Sequence, residues 1–264
     1  MKHAGHNMLE IIKKQLTIDM NCEPADLDKD GIVFCEAGLN AGRRLFDRQT
    51  PYLEAATMGK ATVVSADRSI LPQIRPLLET KTREDVFAAP LLYGHSLYYI
   101  PDLMRIERLP CPAGFQCHGR KGTEIHELYQ TAEFENAIQY DPNHPRPDVI
   151  ALCATYGGEI AAVAGASQDC ALMWQIGIDV LPKYRSQGLA AYLVSNLALD
   201  IMEKGVVPYY GTASSNIASQ VVAHRAGLMP AWMCSYHNTL DGSSPYAHDA
   251  LPPIPSPCPA PAGR

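Results

Sequence analysis

At 264 residues the chain is long enough for one large domain or two small ones. With 47% hydrophobic and 19% charged residues it has the make-up of a globular protein with a real core. Its formal net charge of −6 excludes broad, sequence-independent nucleic-acid binding, which needs a basic face, but leaves room for a small basic pocket.

The N-terminal stretch has no continuous apolar segment of the kind a secretory signal carries, and no run reaches the ~18 apolar residues of a bilayer span. None of the eight cysteines forms a Cys-x-x-Cys pair, and most sit in apolar runs. That pattern predicts reduced, buried thiols and a cytoplasmic location. Cys111, Cys117 and His118 lack the rest of a ligand set, so no metal is expected.

"NMLEIIKKQLTIDM" places Leu9, Ile12, Leu16 and Met20 at helical spacing. "GIVFCEA" reads as a strand, and "YLEAATMGKATVVSA" as two strands around Met58-Gly59. "SILPQIRPLLET" reads as a helix with Pro72 in its first turn and Pro76 as an irregularity. Residues 1–108 are thus assigned to an N-terminal α/β domain. Pro and Gly make "LPCPAGFQCHGRKG" a loop, and "TEIHELYQTAEFENAIQY" reads as a helical stretch bent near Thr131.

The pattern then becomes regular. "VIALCATY", "IAAVAGAS" and "ALMWQIGIDV" form a meander of three strands. Trp174 in the third of these and Trp232 near the end are read as core residues. The helix "GLAAYLVSNLALDIMEKG" carries the stripe Leu189, Leu193, Leu197 and Ile201. "VVPYYGT" is a strand, "SSNIASQVVAHRAG" a second helix and "LMPAWMCSYHNTL" a closing strand. Residues 109–242 make up this core. The proline-dense segment 243–264 is expected to be a flexible tail.

A strand–helix–strand crossover implies a parallel pair. A helix entered directly from a strand aims its unpaired N–H groups beyond the strand end. Gly188 and Ala190 keep the turn open to a ligand, while Lys183 and Arg185 add positive charge. The chain contains neither Gly-x-x-x-x-Gly-Lys nor Gly-x-Gly-x-x-Gly.

"Arg185-Ser-Gln-Gly188-Leu-Ala190" resembles the Gln/Arg-x-x-Gly-x-Gly/Ala pattern of the GNAT superfamily of N-acetyltransferases. "IGIDVLPKYRSQGLAAYLV" is similar to that family's fourth strand, pyrophosphate loop and third helix; "PYYGTASSNIASQVVAHRAGL" is similar to its fifth strand and fourth helix. The resemblance covers roughly residues 123–240. It implies an α/β (α+β) fold with a mixed, mainly antiparallel sheet flanked by helices, and a V-shaped splay between two parallel strands. It also implies acetyl-CoA as co-substrate, an amine acceptor and direct acetyl transfer, with no metal, no nucleic acid and no membrane partner. A homodimer is common for the fold. The N–H groups of Arg185, Ser186, Gln187, Gly188, Leu189 and Ala190 would hold the pyrophosphate. Ile178, Asp179 and Val180 would offer a strand edge to pantetheine, and Asn216 would help hold its arm.

Many relatives protonate the leaving thiolate with a helix tyrosine; that position is Ala223 here. The alternatives are Tyr209, Tyr210, Ser214, Ser215 and His224, with Glu127, Glu133 or a water chain as base. Asp179 alternates with Ile178 and Val180 and is expected to point to the opposite face. An Ala223→Tyr replacement is expected to be tolerated. The missing tyrosine also leaves open a CoA-binding regulatory module that no longer transfers acetyl. "ATVVSADRSILPQIRPLLE" again runs strand to helix, so residues 1–108 could be a worn second copy without its own cofactor loop.

Overall fold

A computed structural model describes residues 2–46 and 48–240. The proline-rich segment assigned to 243–264 lies outside the described residues. One ten-stranded sheet runs through the chain. The helix α1 (Lys2–Met20) precedes β1 (Gly31–Glu36), β2 (Leu53–Met58) and β3 (Ala61–Ala66). The helices α2 (Leu71–Leu78) and α3 (Arg83–Phe87) follow, then β4 (Leu92–Pro101) and β5 (Gln116–Lys121). After a 3-10 segment at Gly122–Gln130 come β6 (Asp148–Tyr156), β7 (Glu159–Gln168) and β8 (Met173–Val180). The helix α4 (Leu189–Met202), β9 (Val207–Ala213), α5 (Ile217–Arg225) and β10 (Leu228–Asn238) complete the order.

The strands lie in the order β1-β3-β2-β10-β4-β9-β8-β7-β6-β5. Pairing is antiparallel except for β1–β3 and β8–β9. Segments 1–108 and 109–242 share this sheet, because β4 lies between β9 and β10. The α1 stripe is Met8, Ile12, Leu16 and Met20, with Leu9 only partly buried. Four residues at strict i, i+4 spacing thus seat α1 on one face.

On the other face α4 buries Leu189, Leu193, Leu197 and Ile201, the stripe its period predicts, against alternate residues of β6, β7 and β8. The β7 contribution is Ala162, Ala164 and Ala166, small side chains that let the helix lie close to the sheet. Trp232 is buried, whereas Trp174 is partly buried against the same cluster as α4.

Two sequence expectations are corrected. The loop assigned to 109–122 contains β5, an edge strand paired with β6 along its whole length. Its burial does not alternate cleanly, so only the backbone ladder identifies it. The helical stretch assigned to 123–140 is a 3-10 segment to Gln130 followed by turns. Glu133 and Tyr140 take positive φ (94° and 57°), which ends helical continuation there.

Candidate functional site

The strands β8 and β9 pair in parallel over only four positions, from Met173↔Val207 to Ile176↔Tyr210. Beyond Ile176, β8 stays paired with β7 as far as Val180↔Ala162. Beyond Tyr210, β9 stays paired with β4 as far as Ala213↔Ser96. Each strand follows its outer neighbour, and a V-shaped gap opens between them. The Leu181 N–H donates to Ala161 O on β7 (2.9 Å). Period-two alternation then turns the main-chain groups of Asp179 to β7 and those of Ile178 and Val180 into the gap.

The connection after β8 is a 3-10 turn, Pro182–Tyr184, leading into Arg185, Ser186, Gln187 and Gly188. Ser186 and Gly188 are left-handed (φ 64° and 83°). Gly188 is the N-cap of α4, and among the described residues no side chain bonds to its first turn, so those N–H groups are open to a ligand. A Cβ on Gly188 would meet only Pro112 Cγ at 4.0 Å, so conformation rather than crowding calls for glycine. Arg185 Nε donates to Val180 O (3.1 Å), and among the described residues no carboxylate pairs with its guanidinium. Lys183 is held by Glu159 (2.6 Å), which also accepts from Tyr184, so its charge is balanced locally. Hydrogen bonds from Lys183 and then Tyr184 hold the exposed Glu159 carboxyl below its usual range. Leu189 is buried in the core, and Ala190 is half-buried.

The Asp179 side chain points to the face opposite Ile178 and Val180. It accepts from Asn136 N–H (2.7 Å), Asn136 Nδ2 (2.7 Å) and Ala137 N–H (3.1 Å). It thereby fixes the turn that crosses β7 and β8 beside the gap. Asp179→Ala is expected to lower stability by about 2 kcal/mol in urea unfolding, because the bonds lost are charge-assisted.

The remaining candidates are spread over both faces. Tyr210 is the last β9 residue laddered to β8, and its side chain lies among the core residues under α4 and α5. Its hydroxyl is 2.5 Å from Ser219 Oγ on α5. Burial raises this phenol above its ordinary value, against the lowering effect of Ser219. Tyr209 points the other way and donates to the buried Asp169 carboxylate. Asn216 caps α5, its Oδ1 accepting from Ser219 N–H (3.1 Å), and among the described residues its Nδ2 has no protein partner.

His224 stands at the far end of α5, its ring nitrogens 3.3–3.4 Å from the Arg105 guanidinium. Glu127 is exposed on the 3-10 segment beside β5 and β6, and Glu133 is exposed in the turn after it. Ser214 and Ser215 follow β9, the Ser214 N–H donating to His95 O (2.8 Å). Ala223 is fully buried against the α4 core, which overturns the expectation that a tyrosine would be tolerated there.

All seven described cysteines are free, and burial pushes the Cys153 thiol up to about 11. Cys22, Asp26 and Cys35 bring ligand atoms within 4.8 Å of one another, a grouping the sequence did not suggest. The Asp26 oxygens there already accept from Lys29 Nζ (2.5 Å) and Glu23 N–H (2.9 Å). No helix of the described residues is long and apolar enough to cross a membrane.

Residues 132–230 match the family model of GNAT acetyltransferases. Among solved structures, a GNAT-family acetyltransferase of Novosphingobium aromaticivorans is 19% identical, covering 54% of this chain and 63% of its own length (TM-score 0.41). A GCN5-related N-acetyltransferase-like protein of Streptococcus suis is 16% identical, covering 68% and 72% (TM-score 0.42). A GNAT-family acetyltransferase of Colwellia psychrerythraea is 18% identical, covering 61% and 62% (TM-score 0.40). This chain thus spans less than two thirds of the length of the Novosphingobium and Colwellia structures. No curated protein matches.

Proposed function

We propose that the protein is an acetyl-CoA-dependent N-acetyltransferase, moving acetyl to a primary amine of a small molecule or peptide by direct transfer in a ternary complex. The observation that carries this reading is the gap beyond Ile176 and Tyr210, with the glycine-capped start of α4 after the same strand. The residues fit the co-substrate. The unfilled N–H groups of the 185–190 segment and the helix dipole suit a pyrophosphate, with Arg185 alongside. Ile178 and Val180 offer a strand edge to amide groups, and Asn216 keeps an amide donor at the start of α5.

When bound, acetyl-CoA supplies an acetyl group already activated as a thioester. The chain's own part is to position, polarise and move protons. A main-chain N–H in the gap can stabilise a developing oxyanion. Tyr210 keeps its proton at neutral pH because burial raises its phenol, and it lies on the face of α4 and α5. This makes it the best-placed proton donor of the candidates.

The test pairs two measurements. Free thiol should be released from acetyl-CoA in the presence of an amine panel. Gly188→Glu should weaken calorimetric CoA binding about 100-fold, roughly 2.8 kcal/mol, while Gly188→Ala separates backbone strain at φ 83° from the effect of the carboxylate. Unchanged affinity in Gly188→Glu would remove the loop from the site. Tight CoA binding with no thiol release on any amine would favour a CoA-binding regulatory module instead.

A further inference from the structure

The face opposite α4 and α5 holds a cavity of about 330 Å³, at the small end of ligand sites. In a chain of net charge −6, four arginines converge on it: Arg43, Arg44, Arg48 and Arg146. Among the described residues each nearby carboxylate already has partners. Asp19 is taken by Arg44, through Nε (2.6 Å) and the main-chain N–H (2.8 Å). Asp169 is 3.4 Å from Arg146 Nη1 and also accepts from Ser167 Oγ (2.9 Å) and Tyr209. Glu54 also lines the cavity and accepts from Tyr52; burial raises its carboxyl, while Tyr52 and the Arg44 charge lower it.

Among the described residues no carboxylate pairs with Arg43 or Arg48. Arg44 is only 4% exposed, yet among the described residues its Nη1 has no partner. Arginine cannot shed its proton, so these guanidinium charges persist at any working pH. Aromatic rings occupy guanidinium faces: Arg48 lies 3.6 Å from the Tyr52 centroid and Arg146 4.7 Å from that of Phe46. That stacking leaves N–H edges for a planar anion.

The Tyr98 ring stands between this cavity and the reaction gap. Tyr98 lines it, and a Cβ on Gly211 would meet Tyr98 Cε1 at 2.9 Å. Gly211 directly follows Tyr210, where the ladder to β8 ends. An anion held by the arginines would thus lie across the Tyr98 ring from the base of the gap.

Resting on the N-acetyltransferase reading, we propose that this cavity seats the acceptor, and that the acceptor is an amine bearing a carboxylate, as a free amino acid does. The four arginines hold the carboxylate and so select against cationic polyamines and aminoglycosides, which would meet like charge.

Calorimetric titration of the full chain tests this without turnover. The probes are N-acetyl derivatives of glycine, leucine, phenylalanine and glutamate, each with its matched amide lacking the α-carboxylate. At least one acid should bind about tenfold or more tightly than its amide, the size of a charge-assisted contact. Arg48→Gln and Arg146→Gln should each remove about that preference, whereas Arg68→Gln, exposed beyond the cavity, should leave it unchanged. Equal binding of acids and amides overturns the proposal, as does inorganic phosphate binding more tightly than every acid. The comparison of acid with amide on the unmodified chain decides even where an arginine variant does not fold. Carboxylate binding with no thiol release from acetyl-CoA would retain the cavity and reject the transferase reading. Thiol release with cationic or neutral amines alone would retain the transferase and reject this acceptor.

Discussion

Gly177→Ala is expected to destabilise the protein by about 3 kcal/mol, at the upper end of overpacking costs. A Cβ there would stand 1.8 Å from Asn136 O and 2.8 Å from its carbonyl carbon. The obstacle is main chain, which cannot rotate away like a side-chain tip. Nor can the turn lift freely, because Asp179 holds the Asn136 and Ala137 N–H groups and Phe134 and Ile138 are buried beneath it. Gly165 faces Gly177 across the β7–β8 ladder, and a Cβ there would meet Ala137 O at 2.0 Å. The two glycines form a slot in which the 134–138 turn is seated. Urea unfolding should show a lower midpoint with an unchanged slope. Gly119→Ala is the control: its new Cβ would meet only Leu152 Cδ2, at 3.8 Å, and its stability should move by less than about 0.5 kcal/mol. Equal stability of the two alanine variants would refute the slot. Gly165→Ala with Gly177→Ala should cost less than the sum of the single changes, since one displaced turn relieves both contacts.

This slot also explains what the sequence conceals. Residues 123–140 carry helix-forming composition, and local propensity alone predicts a bent helix. The glycine pair and the Asp179 carboxylate that hold them as turns lie some 30 to 40 residues further on, beyond the reach of local pattern. The meander, α4, β9 and α5 were legible because each is a contiguous segment with local boundary signals: β6 and β7 are short runs buried along most of their length, α4 carries a stripe of period 3.6, and α5 begins at a capping Asn216 and ends before Gly227. The strand β4 gave little signal: its neighbours β9 and β10 come more than a hundred residues later, and "LYGHSLYYIP" has no clean alternation of polar and apolar residues.

The same distinction governs the site. The 185–190 segment is continuous, so its small residues and its charge can be read directly. The arginine cavity joins Arg43 and Arg48 to Arg146 across about a hundred residues, and no spacing rule brings them together. Tyr209 and Tyr210 were indistinguishable as neighbours in the sequence. The strand separates them by face, one to Asp169 and one to Ser219.

That separation gives the second large effect. Tyr210→Phe is expected to lower kcat for acetyl transfer about 100-fold, the lower end of what a positioned general acid contributes, with affinity for CoA unchanged. Phenylalanine fills nearly the same volume in the core, so the loss falls on the proton rather than on packing. The hydroxyl sits 2.5 Å from Ser219 Oγ, at the residue where the β8–β9 ladder ends and on the side of α4 and α5. Burial raises its pKa above 10.0, so the donor stays protonated through neutral pH. The rate should therefore hold steady up to pH 10 and fall only as the raised value is passed; the variant should lack that limb. Linkage has the same sign. Because the folded phenol titrates above the unfolded one, its contribution to stability is whole below the unfolded value and is lost as pH rises through the folded one. Tyr209→Phe is the contrast. It leaves the buried Asp169 without that donor, so it should cost stability while sparing the proton-transfer step. Ser219→Ala removes the hydroxyl's partner but not the acid itself, and should cost roughly tenfold. An unchanged kcat in Tyr210→Phe, or a larger loss in Tyr209→Phe, would place the proton donor elsewhere.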